Sequence, residues 1–495
     1  MPDSPANSTT ARPIRRVSGW KVFGVFCLVC FLALLGVVFI PWDVPAPDDS
    51  DLWFTPPKLD ADKNAFTYFE AASNLQVNKF LAATGEDRDW SGLRKPIGNS
   101  SEEWDSVFAD EVLAANEPMF LELEKGLACE HYVAPRDEDF TTYQPSLAKY
   151  KTLVVLLALK SKRAQLGGDP VKAAQAACQG WRFGQLVTDN ANSRIEWLVG
   201  IACQGIALAR MNDIIADVKT PGPILRDLLA QQDRWIPLGV ERGYKQAMQE
   251  DYRIQLTVID QLPSRPDYYK YLDYGDSSLS CWARIPYFFK PNMTKRMIAP
   301  FYRRMITHSG RLYAKINLDY PGKPREPAND SGKIRMLISL NSAGKTLFFM
   351  LVPTLDRVIA KKCYLQSYVA CLRLKIALRL YEQKHGKLPD DLNALVPDYL
   401  KEVPLDPYDG QPFRYSKSVK EVWAVGRNLK DDGGRMENDM EMRDSLGYDL
   451  VMPIAAREIK PNLATPSPST PGAKQDKVNR VEQSGPSGRG TAAKP

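Results

Sequence analysis

The apolar positions of this chain follow two regimes. From Val22 to Ile40 they form an unbroken run, VFGVFCLVCFLALLGVVFI, with Lys21 just before it and no further charge until Asp43. Downstream they recur mostly at intervals of three and four, the spacing that gathers them on one face of a helix. At about 1.5 Å per residue, the run with its flanking Trp20, Pro41 and Trp42 can cross a hydrocarbon core of roughly 30 Å. A helix at the edge of a soluble core shows a polar stripe, and this one has none. Trp20 and Trp42 stand at its two ends, where amphipathic indoles favour the headgroup region. The pattern predicts a single transmembrane helix over 20–42.

The flanking charges orient it. Arg12, Arg15, Arg16 and Lys21 precede the run, whereas Asp43, Asp48, Asp49 and Asp51 follow it. Lysine and arginine resist translocation, so residues 1–19 are expected in the cytoplasm and the bulk of the chain outside. Two other uses of such a run compete. A cleavable signal would need a small-x-small site, and the best one, Val44-Pro45-Ala46, is followed by the obstructing Pro47. A lipoprotein anchor at Cys30 would want a small residue before it, where Val29 stands. The expectation is an uncleaved single-pass anchor in a bacterial inner membrane, with the rest of the chain facing the periplasm.

Beyond the anchor, residues 43–59 are rich in Pro and Asp and read as an extended stalk. Residues 60–261 then read as a helical body. KNAFTYFEAASNL puts Ala65, Phe69, Ala72 and Leu75 on one side, with Asp60 or Asp62 as N-cap. A second helical stretch, about Ser101 to Ala128, contains Pro118, which should kink or split it. Four helices follow: Leu147 to Leu166, one opened by Asp169-Pro170, Arg194 to Val218, and one from Pro221-Gly222-Pro223 through Trp235. Such helices joined by short turns pack as antiparallel hairpins, with Ala173, Ala174, Ala176 and Ala177 allowing close approach. They show no period of about 34 residues, so they do not make a tetratricopeptide array. Residues 262–340 carry many aromatics (Tyr268, Tyr269, Tyr271, Tyr274, Trp282, Tyr287, Phe288, Phe289) and predict irregular packing with helical turns near Met293–His308. Residues 455–495 are low in bulky apolar side chains and are expected to be disordered.

The stretch from Leu355 to Lys384 is a long amphipathic helix, with Leu365, Val369, Leu372, Ile376 and Leu380 on one stripe. Lys384, Gly386 and Pro389 make its stop. A short helix in DDLNALVPDYL, capped by Asp390 or Asp391, should follow. Turn formers in VPLDPYDGQPFRYS then feed a strand, with further strands at Glu421–Gly426 and Gly447–Met452. Between the last two lies the acidic loop KDDGGRMENDMEMRD.

The text ALRLYEQKHGKLPDDLNALVPDYLKEVPLDPYDGQPFRY, followed by VGRNLKDDGG, resembles the head domain of type II secretion major pseudopilins. Tyr381, Gly386, Pro389, Pro404, Asp406, Pro407, Tyr408, Gly410 and Tyr415 fall on that family's positions. The resemblance implies a small α+β module within 341–454. It also implies a calcium loop: Gly433 and Gly434 match the family's glycine pair, Asp449 matches an aspartate near the last strand, and Asn428 stands where the family has an aspartate. Asp431, Asp432, Asp439 and Asp444 would add hard oxygen ligands suited to Ca²⁺. A solvated acidic hairpin is the competing reading. In the family the apolar helix runs directly into the head, whereas here the helical body stands between them.

Composition narrows the function classes. A chain of 495 residues with 44% hydrophobic and 25% charged positions can bury two or three ordinary cores. The net charge of +6 is small and argues neither for nor against nucleic acid, but no long basic cluster with interleaved aromatics occurs, so no nucleic-acid partner is expected. None of Cys129, Cys178, Cys203, Cys281, Cys363 and Cys371 forms a CxxC pair; in an oxidising exterior Cys178 could bridge Cys203, or all six could be buried thiols. His131, His308 and His385 lie in separate segments, no Gly-x-Ser-x-Gly or HExxH signature occurs, and no convincing Ser-x-x-Lys nucleophile pair is present. Ser342-Ala343-Gly344-Lys345-Thr346 lacks the first glycine of a phosphate loop, Ser339 standing in its place, so no nucleotide is expected. The combined expectation is a mainly α, non-enzymatic envelope scaffold with protein partners, linked to secretion. A hydrolase with its site in 262–332 and a true secretion-pilus component are the alternatives.

Overall fold

The computed structural model describes residues 19–81, 87–93, 103–136, 145–235, 240–265, 284–321, 323–325, 329–351, 353–434, 449–454 and 462–463. Helix α1 (Gly19–Phe39) is 21 residues long with no buried residue, and is long and apolar enough to cross a membrane. The rest of the protein is mainly helical, with a small antiparallel sheet near the C-terminus.

Helix α2 (Ala65–Asn74) starts later than the sequence suggests. Asn64, rather than Asp60 or Asp62, accepts the N–H of Phe66 at 3.1 Å as its cap. The Asn64 amide also donates to the Val133 carbonyl at 2.8 Å, a long-range contact that an aspartate would lack the N–H to make. A short hairpin, β1 (Lys79–Leu81) with β2 (Asp87–Asp89), and strand β3 (Glu103–Trp104) come next. The expected helix over 101–128 is two: α3 (Ser106–Ala115) and α4 (Glu117–Ala128). The break is at Asn116, fully buried, which accepts the Val77 N–H at 2.9 Å and donates to the Val112 carbonyl at 2.9 Å. Pro118 then lies in the first turn of α4, where a missing N–H costs nothing.

The helix array is as the spacing predicts: α5 (Pro145–Leu166), α6 (Pro170–Asp189), α7 (Arg194–Ala216) and α8 (Gly222–Trp235). Asp169 caps α6 by accepting the Lys172 N–H at 3.0 Å. The four alanines are buried. The closest approach, however, is made by glycines: a Cβ on Gly184 would sit 2.9 Å from the Gly200 carbonyl oxygen. At that crossing Gln204 accepts from the Trp181 indole at 3.2 Å and donates to the Thr188 hydroxyl at 2.9 Å. Helix α7 is itself apolar and long enough to span a membrane, but it is largely buried in this bundle.

Two further helices, α9 (Val240–Gln261) and α10 (Pro291–Thr307), pack together through Tyr252 and Tyr302. Along them lies most of the segment read as an extended stalk, packed against the two helices. The Asp43 carboxylate accepts the N–H groups of Asn292 and Met293 at 2.7 and 3.2 Å, capping α10 from outside. Lys290 sits over the Trp42 ring at 3.7 Å, and Arg296 donates to the Pro45 carbonyl at 2.7 Å. Further along, the Tyr252 hydroxyl donates to Asp49 at 2.7 Å, Arg303 holds Asp51 with two hydrogen bonds of 2.8 and 2.7 Å, and Leu52 enters the core. Proline supplied the extended backbone, and the carboxylates found helix-end and guanidinium partners.

The chain then forms α11 (Asp330–Leu337), α12 (Ser342–Leu351) and the long α13 (Pro353–His385). Gly344 in α12 is there for packing: a Cβ would lie 2.1 Å from the Thr294 hydroxyl of α10. The predicted stripe of α13 is buried, and Gly386 ends the helix with φ +71°. The following helix is shorter than expected, a single 3₁₀ turn over Leu392–Leu395 capped by Asp391. Pro397 pushes Val396 into extended backbone and stops it. Strands β4 (Arg414–Ser416), β5 (Glu421–Ala424) and β6 (Leu450–Pro453) form one antiparallel sheet in the order β4-β5-β6. Most of the expected tail lies outside the described residues; Asn462–Leu463 form β7, parallel to β3.

Helix α13 belongs to both halves of the fold. Buried Lys375 donates to Asn212 at 2.6 Å, and buried Arg379 donates to the Ile215 and Asp217 carbonyls at the end of α7. Its other flank packs on β5 and β6, and one hydrophobic core runs from Leu52 to Ile454. The C-terminal module shares its interior with the helical body.

Candidate functional site

The sheet is organised from a buried carboxylate. Asp406 is fully buried; it accepts the N–H of Tyr408 at 2.9 Å, the N–H of Val425 at 2.7 Å and the Arg414 guanidinium at 2.9 Å. Its own backbone closes the turn, taking the Gly410 N–H at 2.8 Å with Gly410 at φ +80°. Arg414 also pairs with Asp409 and stands 3.7 Å from Asp431. Burial pushes the Asp406 carboxyl up to about 6, with repulsion from Asp409 adding to it, against the pull of the two N–H groups and Arg414. Tyr415 ties the strand back to the helix stop by donating to the Pro389 carbonyl at 2.8 Å.

Beyond β5 the acidic loop turns at Gly433 and Gly434, at φ +76° and +69°, values that favour glycine. Asp449, 1% exposed, uses one carboxylate oxygen to accept the N–H groups of Asp432 and Gly434, both at 3.0 Å. Its other oxygen is buried and has no hydrogen-bond partner among the described residues. Burial, with Asp431 and Asp432 nearby, pushes this carboxyl up to about 6. Asp431 accepts from the Trp423 indole at 2.9 Å and from the Gly433 N–H at 3.0 Å. Asp432 accepts from the Asn428 amide at 2.9 Å. Asp431, Asp432 and Asp449 are therefore brought together, whereas Asp439 and Asp444 lie outside the described residues. Among the described residues no group of three or more His, Cys, Asp or Glu is gathered as metal ligands.

No family model, curated protein or solved structure matches this chain. Its chemistry must be read from its own side chains.

The other sequence candidates are dispersed. His131 sits at the start of the segment bridging to Asn64, and His385 stacks on Tyr381. His308 lines an open groove of about 470 Å³ with Arg303, Arg304, Arg311 and Tyr320, and no carboxylate is among the described residues lining it. That groove belongs to the region of the hydrolase alternative, and His308 is the group in its described lining that can act as general acid or base. Tyr268, Tyr269, Tyr271, Tyr274, Trp282 and Cys281 lie outside the described residues. Cys178 and Cys203 are free thiols, each pushed up to about 12 by burial.

Sequence reasoning missed the Asp406–Arg414 pair as the centre of the module. The signal was available in DPYDGQPFR, where an aspartate opens a turn and an arginine follows eight positions later.

Proposed function

We propose that this chain is a single-pass, membrane-anchored scaffold of a bacterial envelope, with its helical body and C-terminal module on the periplasmic side and protein partners there. The observation that carries the reading is α1: uncharged from Val22 onward, without a buried residue, with basic residues up to Lys21 and acidic ones after its end. The buried polar groups support a structural use of the interior. Glu196 accepts from the Asn192 N–H at 2.6 Å and from the Tyr132 hydroxyl, tying the start of α7 to the 131–136 segment, and Asp251 accepts from Tyr302 at 2.5 Å, holding α9 to α10. Alkaline phosphatase fused behind Asp60 should be active in whole cells and a fluorescent reporter at the same point dark. The reverse pattern would overturn the reading.

Within it, the module at 341–454 is a pseudopilin-head-like fold placed on a scaffold, and its acidic loop takes Ca²⁺. The unpartnered, buried oxygen of Asp449 supports this, because a buried carboxylate oxygen without a donor suits a hard cation. Asp432 and Asp431 stand beside it, and the cation would add positive charge at Asp449, beyond the Arg414 guanidinium that stands 3.7 Å from Asp431. The full chain in detergent should melt higher in about 1 mM calcium than in chelator, and Asp449→Asn should remove the difference. Equal midpoints in calcium and chelator would leave the acidic hairpin reading in its place.

A further inference from the structure

We propose that α11 is seated on the membrane, the exposed apolar face made by Ile334, Leu337 and its C-cap residue Ile338 resting in the interfacial zone of the bilayer that α1 enters. The inference deepens the anchor reading and rests on it. These side chains are 62%, 42% and 60% exposed, and their spacing of three and four puts them on one side of the helix. Arg335 stands among them in sequence, and a short amphipathic helix with basic residues suits an anionic lipid surface.

The occupant is fixed by continuity with α1. Within α1 the protein body covers only Leu35, Gly36 and Val38 in part, and the rest of the helix is exposed. This contact therefore falls inside the apolar run and not beyond its end. There the Val38 carbonyl accepts the Tyr287 N–H at 3.2 Å, the Tyr287 carbonyl accepts the Asn341 N–H at 3.0 Å, and the Phe288 carbonyl accepts the Ala343 N–H at 2.9 Å. Ile338 is three residues from Asn341, so at most about 11 Å of extended chain separates them. The atoms that hold the end of α11 thus touch the last turns of the span. Half-buried Tyr287 and Phe288, and Lys290 over the Trp42 ring, give this level the aromatic and cationic side chains of a membrane–water boundary. An apolar face held so close to the span meets lipid before it meets any soluble partner.

The test uses the full chain in vesicles of phosphatidylethanolamine and phosphatidylglycerol. A benzophenone amino acid is introduced singly at Ile334, at Ile338, at Val29 within α1, and at Val171, which is 52% exposed on α6. Illumination should give lipid adducts at 29, 334 and 338 and none at 171. Adducts at 29 without any at 334 and 338 overturn the seating of α11 and leave the anchor intact. No adduct at 29 sinks the anchor itself. Protein–protein adducts at 334 and 338 in place of lipid ones overturn the proposal in favour of a protein partner, and equal lipid labelling at 171 overturns it as unspecific. Because the substituted positions are exposed, each labelled chain should melt with the unlabelled one, which separates a lost contact from a lost fold.

Discussion

Replacing Asp406 with alanine should destabilise the protein by about 3–5 kcal/mol, the range for removing one partner of a buried charge pair. The loss is large because one side chain answers three donors: the N–H groups of Tyr408 and Val425, and Arg414. Without it two amides and a guanidinium are left short of an acceptor in a site that water reaches poorly. Denaturant midpoints should fall, and amide exchange at Tyr408 and Val425 should accelerate. A change within the roughly 0.5 kcal/mol expected of surface substitutions would show that the pair holds nothing. The same group sets a pH dependence. Burial raises its folded value to about 6 from an ordinary 3.8, so the native state holds more protons between those values. Its contribution to stability therefore declines as pH rises through that window and is level above it. Asp406→Asn, which does not titrate, should lack this slope.

Gly243→Ala should cost about 3 kcal/mol, although alanine is the better helix former by roughly 1 kcal/mol. The reason is local. An added Cβ would fall 1.8 Å from the Thr188 carbonyl oxygen and 2.8 Å from its carbon, so α9 and the end of α6 would have to part. Gly205→Ala, on α7 with nothing within 4 Å of the new methyl, should stabilise by about 0.5–1 kcal/mol. Thermal melts of the two variants should shift in opposite directions. Parallel shifts would mean that the α6–α9 contact is looser than this geometry.

What the sequence made legible was local. The apolar run, the Asp169-Pro170 start of α6 and the Gly386 stop of α13 are each decided by a few neighbouring residues, and the structure has them in place. What it concealed was the partner at a distance. Asp43 reads as a stalk residue until it is seen capping a helix that begins at Pro291, and Asn116 reads as one helical position among many until Val77 meets it. The alanines of α6 suggested close packing, yet the crossing with α7 turns on Gly184 and Gly200, whose meeting depends on register between helices. In the acidic loop, the resemblance put Asp431, Asp432, Asp439, Asp444 and Asp449 forward together; the Asp432 N–H donates to Asp449 and Asp431 lies near it, and among the described residues these carboxylates are not gathered as a set of metal ligands. That Asp449 would keep one buried oxygen without a donor among the described residues follows only from the fold.

The Pro/Asp segment, fastened at Asp43, Asp49 and Asp51, has a mechanical consequence. With α1 in a bilayer it acts as a bracket that sets height and tilt, and removes the slack a flexible leash would give. Any two copies of this chain would then meet as pre-aligned bodies sliding in a plane, at the raised effective concentration that confinement gives.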